Sequence, residues 1–170
     1  APISALCAAT NDNRVLYEWS EGGEYRPRPS VQTLSTAMDV GRPSNFVRLR
    51  SYLSKLPCDF VVRTVSNEDT KGAMSTSRAT VGSLVCPHTG VALSALSSLP
   101  AYECSVVVAT ADPAKFPDEV YDASGERPAP PSQLKAAVMR VGTSIPIKAT
   151  YDSWKQRAFP PEPRKCVVLI

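Results

Sequence analysis

The 170-residue sequence has few of the residues that commonly build catalytic sites. It contains one histidine, His88, and eight glycines. No serine lies in a Gly-x-Ser-x-Gly elbow, and no glycine-rich phosphate loop of the nucleotide or dinucleotide kind occurs. A hydrolytic triad would depend on His88 alone, and a metal site would need a cluster of ligands that the sequence does not contain. Self-contained hydrolytic or nucleotide chemistry is therefore not indicated, and we expect no metal site.

Long apolar runs and massed charge are also absent. No stretch approaches the roughly 20 apolar residues that span a bilayer, and the N-terminus does not resemble a secretory signal. The net charge of +3 comes from scattered basic residues, which does not favour nucleic-acid binding. The five cysteines are odd in number and widely spaced, so we expect reduced core thiols. These features predict a cytoplasmic protein with no membrane or nucleic-acid partner.

What the sequence does contain is a repeated switch between short apolar runs and helical spacing. This pattern predicts an α/β fold, a three-layer open sheet with helices on both faces. Strands are expected at residues 2–9 and 60–65, with a short one at 31–34. The run of β-favouring residues at 105–109 has no polar alternation, which predicts a strand buried on both faces.

Polar residues in front of helices predict where several helices begin. Asp112 reads as an N-cap, and Ser66 with Asp69 has the spacing of a capping box. Another helix is expected to begin at Pro87. Further caps are predicted at Thr10, Asn11 or Asp12 before the first helix and at Ser44 before the second.

The composition changes after about residue 125. Prolines break the chain there, and helical spacing then resumes from Ser132 to Val141. Tyr151, Trp154 and Phe159 predict a short closing helix. This last part of the chain is therefore expected to be peripheral.

Hydroxyl and amide side chains lie at several predicted junctions of strand and helix. Thr110 follows the valine run, at the carboxyl end of its predicted strand, where open α/β sheets bind small molecules. Similar junctions contain Thr10 with Asn11, Ser44 with Asn45, and His88 with Thr89. These side chains indicate one wall of a ligand site, although a single histidine is more often a packed residue than an acid or base.

Five segments resemble those of the threonine synthase family, in the same order and spacing. The longer ones are Thr33–Val40 with Ser44–Phe46, Cys86–Ala92 and Ala109–Phe116, and the supporting ones are Ala9–Asn13 and Val65–Thr70. They occur where the long-chain branch of that family has them. The likeness covers about residues 1–125.

The resemblance implies a fold-type II pyridoxal-phosphate enzyme that converts O-phospho-L-homoserine and water to L-threonine and phosphate. Residues 1–125 would be the C-terminal part of its catalytic α/β domain, and residues 126–170 a proline-rich and helical C-terminal tail. The family's Schiff-base lysine and phosphate loop lie upstream of anything present. We therefore expect the chain to be inactive alone and to need the missing N-terminal half as its partner. Lys115 matches a family lysine that does not bind the cofactor aldehyde.

Residue roles follow from the same resemblance. Thr110 matches the family hydroxyl that bonds the pyridine nitrogen of the cofactor, and a neutral hydroxyl does not hold a proton on that ring as a carboxylate would. The family usually has His or Ser where this chain has Asp112, which we expect to cap its helix and point away from the ring. Roles around the substrate are implied for Asn11, Ser44, Asn45, His88 and Thr89.

A second hypothesis is a catalytically inactive fragment that acts as an interaction module. An open sheet without its neighbouring half exposes apolar faces and strand edges. Self-association of the isolated chain is therefore expected.

Overall fold

A computed structural model describes residues 3–142 and 144–158, in which two strands and seven α-helices form an α/β arrangement. The strands are β1 (Ala5–Thr10) and β2 (Asp59–Thr64). The helices are α1 (Val15–Ser20), α2 (Phe46–Leu53), α3 (Asn67–Val81), α4 (Pro87–Ser97), α5 (Pro117–Ser124), α6 (Ser132–Val138) and α7 (Tyr151–Ala158). Two short 3₁₀ turns occupy Thr36–Met38 and Pro113–Lys115. The α/β class predicted from the sequence is confirmed.

Strands β1 and β2 pair in parallel, with Ala5 opposite Asp59 and Thr10 opposite Thr64. At the carboxyl end of the pair, the Thr10 hydroxyl donates to the Arg63 carbonyl at 3.1 Å. β2 contributes Val62, which is 2% exposed, to the interior. Both strands were predicted, and their carboxyl ends share one edge of the sheet, as parallel pairing requires.

The predicted strand at 105–109 does not form among the described residues. Val106 is 83% exposed and Val108 is 73% exposed, and the segment belongs to no sheet. A strand needs a neighbour to accept and donate its ladder hydrogen bonds, and the sheet described here contains β1 and β2 alone. The apolar pattern is real, but no partner strand covers it within this part of the chain.

Helices α3 and α4 pack together and contribute Met74, Val91 and Ala95 to the buried apolar core. α3 begins at the predicted capping box, where the Asp69 amide donates to the Ser66 hydroxyl at 3.1 Å. It ends at Gly82, which adopts the left-handed conformation with φ of 76°. One buried cluster joins Val65, Val91 and Ala95, and another joins Met74, Val85 and Val120.

Three local predictions near the first two helices are wrong. α1 follows Arg14 without a side-chain cap, because the Asn11 side-chain oxygen accepts from the backbone and side chain of Asn13 instead. α2 follows Asn45, also without a side-chain cap, so Ser44 does not cap it. Residues 31–34 form no strand, because the Val31 amide donates to the Asn13 side chain instead of to a neighbouring strand.

Contacts divide the chain into two compact units, Ala1–Pro131 and Ser132–Ile170. The second contains α6 and α7, which fit the helical spacing predicted there, while Phe159 lies outside the described residues. Within the described ranges, no helix is long and apolar enough to cross a membrane.

The cysteines do not all lie in the core. Cys86 is buried and Cys58 is partly buried, as expected of core thiols. Cys7 and Cys104 are exposed, Cys7 beside the likewise exposed Leu6 on β1 and Cys104 in the exposed segment 101–105. Cys166 lies outside the described residues.

Candidate functional site

Beyond the carboxyl end of β1 lies a cluster of four buried polar side chains and one partly buried carboxylate, which we call the polar corner: Asn11, Asn13, Thr33, Ser35 and Asp39. The Asn11 amide group donates to the Thr33 hydroxyl at 2.8 Å, the Ser35 hydroxyl at 2.9 Å and an Asp39 carboxylate oxygen at 2.9 Å. Its carbonyl oxygen accepts from the backbone and side chain of Asn13. Asn11 is only 2% exposed, so these bonds replace water for its polar atoms.

The Asp39 carboxylate closes the loop 33–39, which contains part of the polar corner. Its oxygens accept from the Thr33 hydroxyl at 2.6 Å and from the Thr33 amide at 3.0 Å. The loop 33–39 is thereby closed on itself and tied to β1 through Asn11. This geometry gives Asn11 a scaffolding role within the described residues, while contact between Asn11 and a substrate stays a prediction.

His88, at the start of α4, reaches the same loop from the other side. Its Nε2 atom accepts a hydrogen bond from the Ala37 amide at 3.0 Å. The side chain is largely buried, its ring lies 4.9 Å from that of Phe116, and Nδ1 has no partner among the described residues. Burial lowers the pKa of His88, and the nearby Asp39 carboxylate partly opposes that shift.

Thr89 lies beside His88 in the first turn of α4. It is buried, and its hydroxyl lies 3.4 Å from the Cys86 sulfur. The next residue, Gly90, allows α4 to approach α3 closely, since a Cβ there would lie 2.8 Å from the Met74 Cγ atom. Close packing therefore dominates the surroundings of Thr89.

Ser44 and Asn45 present free side chains ahead of α2. Both are exposed, and neither makes a side-chain hydrogen bond among the described residues. Behind them, the Tyr25 ring stacks on Phe46 at 3.6 Å between centroids, and its hydroxyl donates to the Pro43 carbonyl. The two polar side chains are thus displayed from a packed base.

Thr110 ends the exposed valine run. It is itself exposed, and its hydroxyl makes no hydrogen bond within the described ranges. Two residues later the Asp112 carboxylate accepts from the Ala114 amide at 2.8 Å, which confirms its predicted role as a cap. Lys115 lies exposed at the end of that turn.

The structure brings together some of the predicted site residues. Asn11 and His88 both hydrogen-bond the loop 33–39. The His88 ring also contacts Phe116, which directly follows the turn Pro113–Lys115 downstream of Thr110. No side-chain hydrogen bond joins Ser44, Asn45 or Thr110 to that group among the described residues.

Sequence reasoning missed Thr33 and Ser35 as buried hydrogen-bonding residues. The available signal was a row of hydroxyl residues, Thr33, Ser35 and Thr36, shortly before Asp39. A carboxylate a few positions after several hydroxyls can accept hydrogen bonds from them and so close the intervening loop.

Comparison with known proteins now identifies the family. Residues 89–156 match the family model described as the C-terminal part of threonine synthase. Threonine synthase from Haemophilus influenzae is 33% identical over 126 residues, which cover 70% of this chain and 29% of that relative. The chain thus spans about a third or less of the length of its curated relatives.

Solved structures agree with the sequence relatives. The crystal structure of threonine synthase from Escherichia coli matches with a TM-score of 0.71 and 29% identity, over 79% of this chain and 32% of that one. The pyridoxal-phosphate-bound enzyme from Brucella melitensis matches with a TM-score of 0.68 and 28% identity, over 82% of this chain and 36% of that one. The chain has the corresponding part of the fold-type II architecture. It belongs to the threonine synthase family and corresponds to its C-terminal portion.

Proposed function

We propose that this chain is the C-terminal portion of an enzyme that converts O-phospho-L-homoserine and water to L-threonine and phosphate, with pyridoxal phosphate as cofactor. The free hydroxyl of Thr110 carries this proposal. It lies exposed at the end of an apolar segment, without a hydrogen-bond partner among the described residues, as a group that receives a cofactor ring should. The Asp112 carboxylate beside it is already engaged at the Ala114 amide.

Thr110 fits pyridoxal phosphate because a hydroxyl is neutral. The bound cofactor supplies an electron sink for the substrate's amino-acid carbons, and the group at its pyridine nitrogen sets how strong that sink is. A hydroxyl can hydrogen-bond the ring nitrogen without holding a proton there. His88, Thr89, Ser44, Asn45 and Asn11 are the proposed residues on the substrate side.

The chain alone is proposed to be inactive. Lys115 is an exposed residue at the end of the Pro113–Lys115 turn, downstream of Thr110. Residues 1–125 are assigned to the catalytic α/β domain and 126–170 to a peripheral tail, with a cytoplasmic location. The lysine and phosphate loop that hold the cofactor would come from a preceding N-terminal portion of the enzyme.

A second candidate function, an interaction module without catalysis, is favoured by the exposed valines. Val106 and Val108 expose apolar surface that another protein, or a second copy of the chain, could cover. Both hypotheses expect association, and they differ in whether the assembled protein turns over substrate.

The test begins with the reading frame upstream of Ala1. Where it continues, the complete product is assayed for phosphate release from O-phosphohomoserine. Where it does not, the N-terminal portion of the Escherichia coli relative is added to this chain. We expect activity from the complete protein, none from the chain alone, and strong loss in Thr110→Val with retention in Thr110→Ser. An assembled protein that binds but never releases phosphate would leave the interaction module as the function.

A further inference from the structure

His88 supplies a hydrogen-bond acceptor that the turn Thr36–Met38 lacks. Within that turn the Met38 amide donates to the Ser35 carbonyl at 2.8 Å, and the Asp39 amide donates to the Thr36 carbonyl at 3.1 Å. Ser35 precedes the turn but makes no side-chain cap. The Ala37 amide, in the middle of the turn, donates to Nε2 of His88 on another helix. His88 therefore caps a turn that is 51 positions away in sequence.

This bond fixes the protonation state of the ring. Nε2 accepts only when it carries no proton, so a neutral His88 has its single proton on Nδ1. A protonated ring would bring two N–H donors against each other at Ala37. His88 is 7% exposed, so water cannot easily replace the lost bond.

Few charges act on the ring. Asp39, from the turn itself, is the carboxylate whose charge favours the protonated form. The residues of α4 carry no charged side chain. Near Phe116, the Asp112 carboxylate accepts a hydrogen bond from the Ala114 amide. Lys115 is exposed to solvent. Burial outweighs Asp39, so the pKa of His88 lies below its ordinary value of about 6.5.

The clamped turn displays Thr36. Its side chain is exposed, and its hydroxyl makes no hydrogen bond among the described residues. Ser35, one position earlier, is buried in the polar corner. Where Thr36 points thus depends on a turn that is anchored by Asp39 at one end and by His88 in the middle.

We propose that His88 is a positioning residue, which in its neutral form holds the turn Thr36–Met38 so that Thr36 faces the substrate, and which releases the turn when it gains a proton. This inference rests on the function proposed above for its consequence in catalysis. The hydrogen bond itself can be tested without activity.

The direct test is nitrogen NMR of the imidazole in the full 170-residue chain. His88 is the only histidine in the sequence, so its two ring nitrogens give one set of signals. At neutral pH we expect a proton on Nδ1 and none on Nε2. On acidification, protonation of the ring should coincide with loss of hydrogen-exchange protection at the Ala37 amide. A proton on Nε2 at neutral pH, or an Ala37 amide that stays protected in the charged state, would overturn the proposal.

The catalytic consequence is tested with two variants of the complete enzyme. His88→Gln keeps an acceptor near the Nε2 position and cannot be charged, whereas His88→Leu removes the acceptor. We expect about a tenfold loss of kcat/KM in His88→Leu, the cost of one hydrogen bond. His88→Gln should lose less activity than His88→Leu at neutral pH, and it should not show the decline expected of the native enzyme as pH falls through the lowered pKa of His88.

Other outcomes separate the two claims. If His88→Gln falls as far as His88→Leu while both remain folded, His88 does not act through the Ala37 bond. If the complete native protein releases no phosphate, the proposed function fails, and the NMR result still decides whether His88 clamps the turn. Thermal unfolding of each variant checks that the lost activity is not lost folding.

Discussion

The polar corner and the valine run at 105–109 differ in where their side chains lie relative to solvent. In the polar corner, mostly buried hydrophilic side chains find partners within the described chain, as the hydrogen bonds of the Asn11 amide group to Thr33, Ser35 and Asp39 show. In the valine run, apolar side chains lie outside, with Val106 83% exposed. The corner is therefore complete in itself, while the run has a surface that remains to be covered. Four substitutions test this contrast.

The largest effect is expected for Asn11→Ala. The substitution removes an almost fully buried amide and leaves Thr33, Ser35 and Asp39 without one partner each. Unsatisfied buried groups should lower the free energy of unfolding by about 3 kcal/mol. Asn45→Ala is the matched control, because Asn45 is exposed and caps nothing. Equal denaturant midpoints for the two variants would show that the corner is not a stabilising network.

The next effect concerns the close packing of α4, which carries His88, against α3 at Gly90. In Gly90→Ala the new methyl group would lie 2.8 Å from the Met74 Cγ atom and 3.2 Å from the Thr70 carbonyl oxygen. Overpacking should cost about 2 kcal/mol by denaturant unfolding. Gly72→Ala, on the same pair of helices, has nothing within 4 Å and should stabilise α3 by up to about 1 kcal/mol. A neutral or stabilising Gly90→Ala would contradict this.

A smaller effect is expected at the start of α3. Its first residue, Asn67, accepts a hydrogen bond from the Leu34 amide and so supports the polar corner. Ser66→Ala removes a cap and should cost about 1 kcal/mol of unfolding free energy. Ser44→Ala, which removes a hydroxyl that caps nothing, should change stability by less than about 0.5 kcal/mol. Chemical denaturation followed by circular dichroism compares them, and equal losses would refute the assignment of the caps.

The smallest effect on stability belongs to the valine run. Val106→Lys should change the unfolding free energy of the chain by no more than about 0.5 kcal/mol, because the side chain already faces water. It should nevertheless weaken self-association or assembly with the rest of the enzyme, measured by sedimentation. Val47→Lys, at a valine that is 76% exposed on α2, is the control that should leave association unchanged. If both variants associate like the native chain, the run is not an interaction surface.

What the sequence could predict depended on how far apart the interacting residues lie. The caps at Ser66 and Asp112 were correct, because each bonds an amide two or three positions ahead. The buried hydrogen bonds of Asn11 could not be predicted in this way, because its partners Thr33 and Asp39 lie 22 and 28 positions away. The predicted cap at Asn11 was wrong because its side-chain oxygen accepts from Asn13 and α1 begins only at Val15.

The valine run was misjudged for a related reason. Apolar character and β-propensity show that a segment suits a strand, but they carry no information about whether a partner strand is present. The same limit applied to residues 31–34, whose amide groups bond side chains instead of a strand. Thr110 could be singled out from its motif, while its exposure followed from the unpaired run before it.

The parallel pairing of β1 and β2 also bears on the order in which the protein folds. The bond between Thr10 and Arg63 joins positions 53 apart, so a long stretch of chain must be gathered before the sheet gains any hydrogen bond. Helices α3 and α4 are neighbours along the chain and meet at Thr70 and Gly90. Local contacts usually form before distant ones, which makes the helical pair the expected nucleus and the closure of the sheet the slow step.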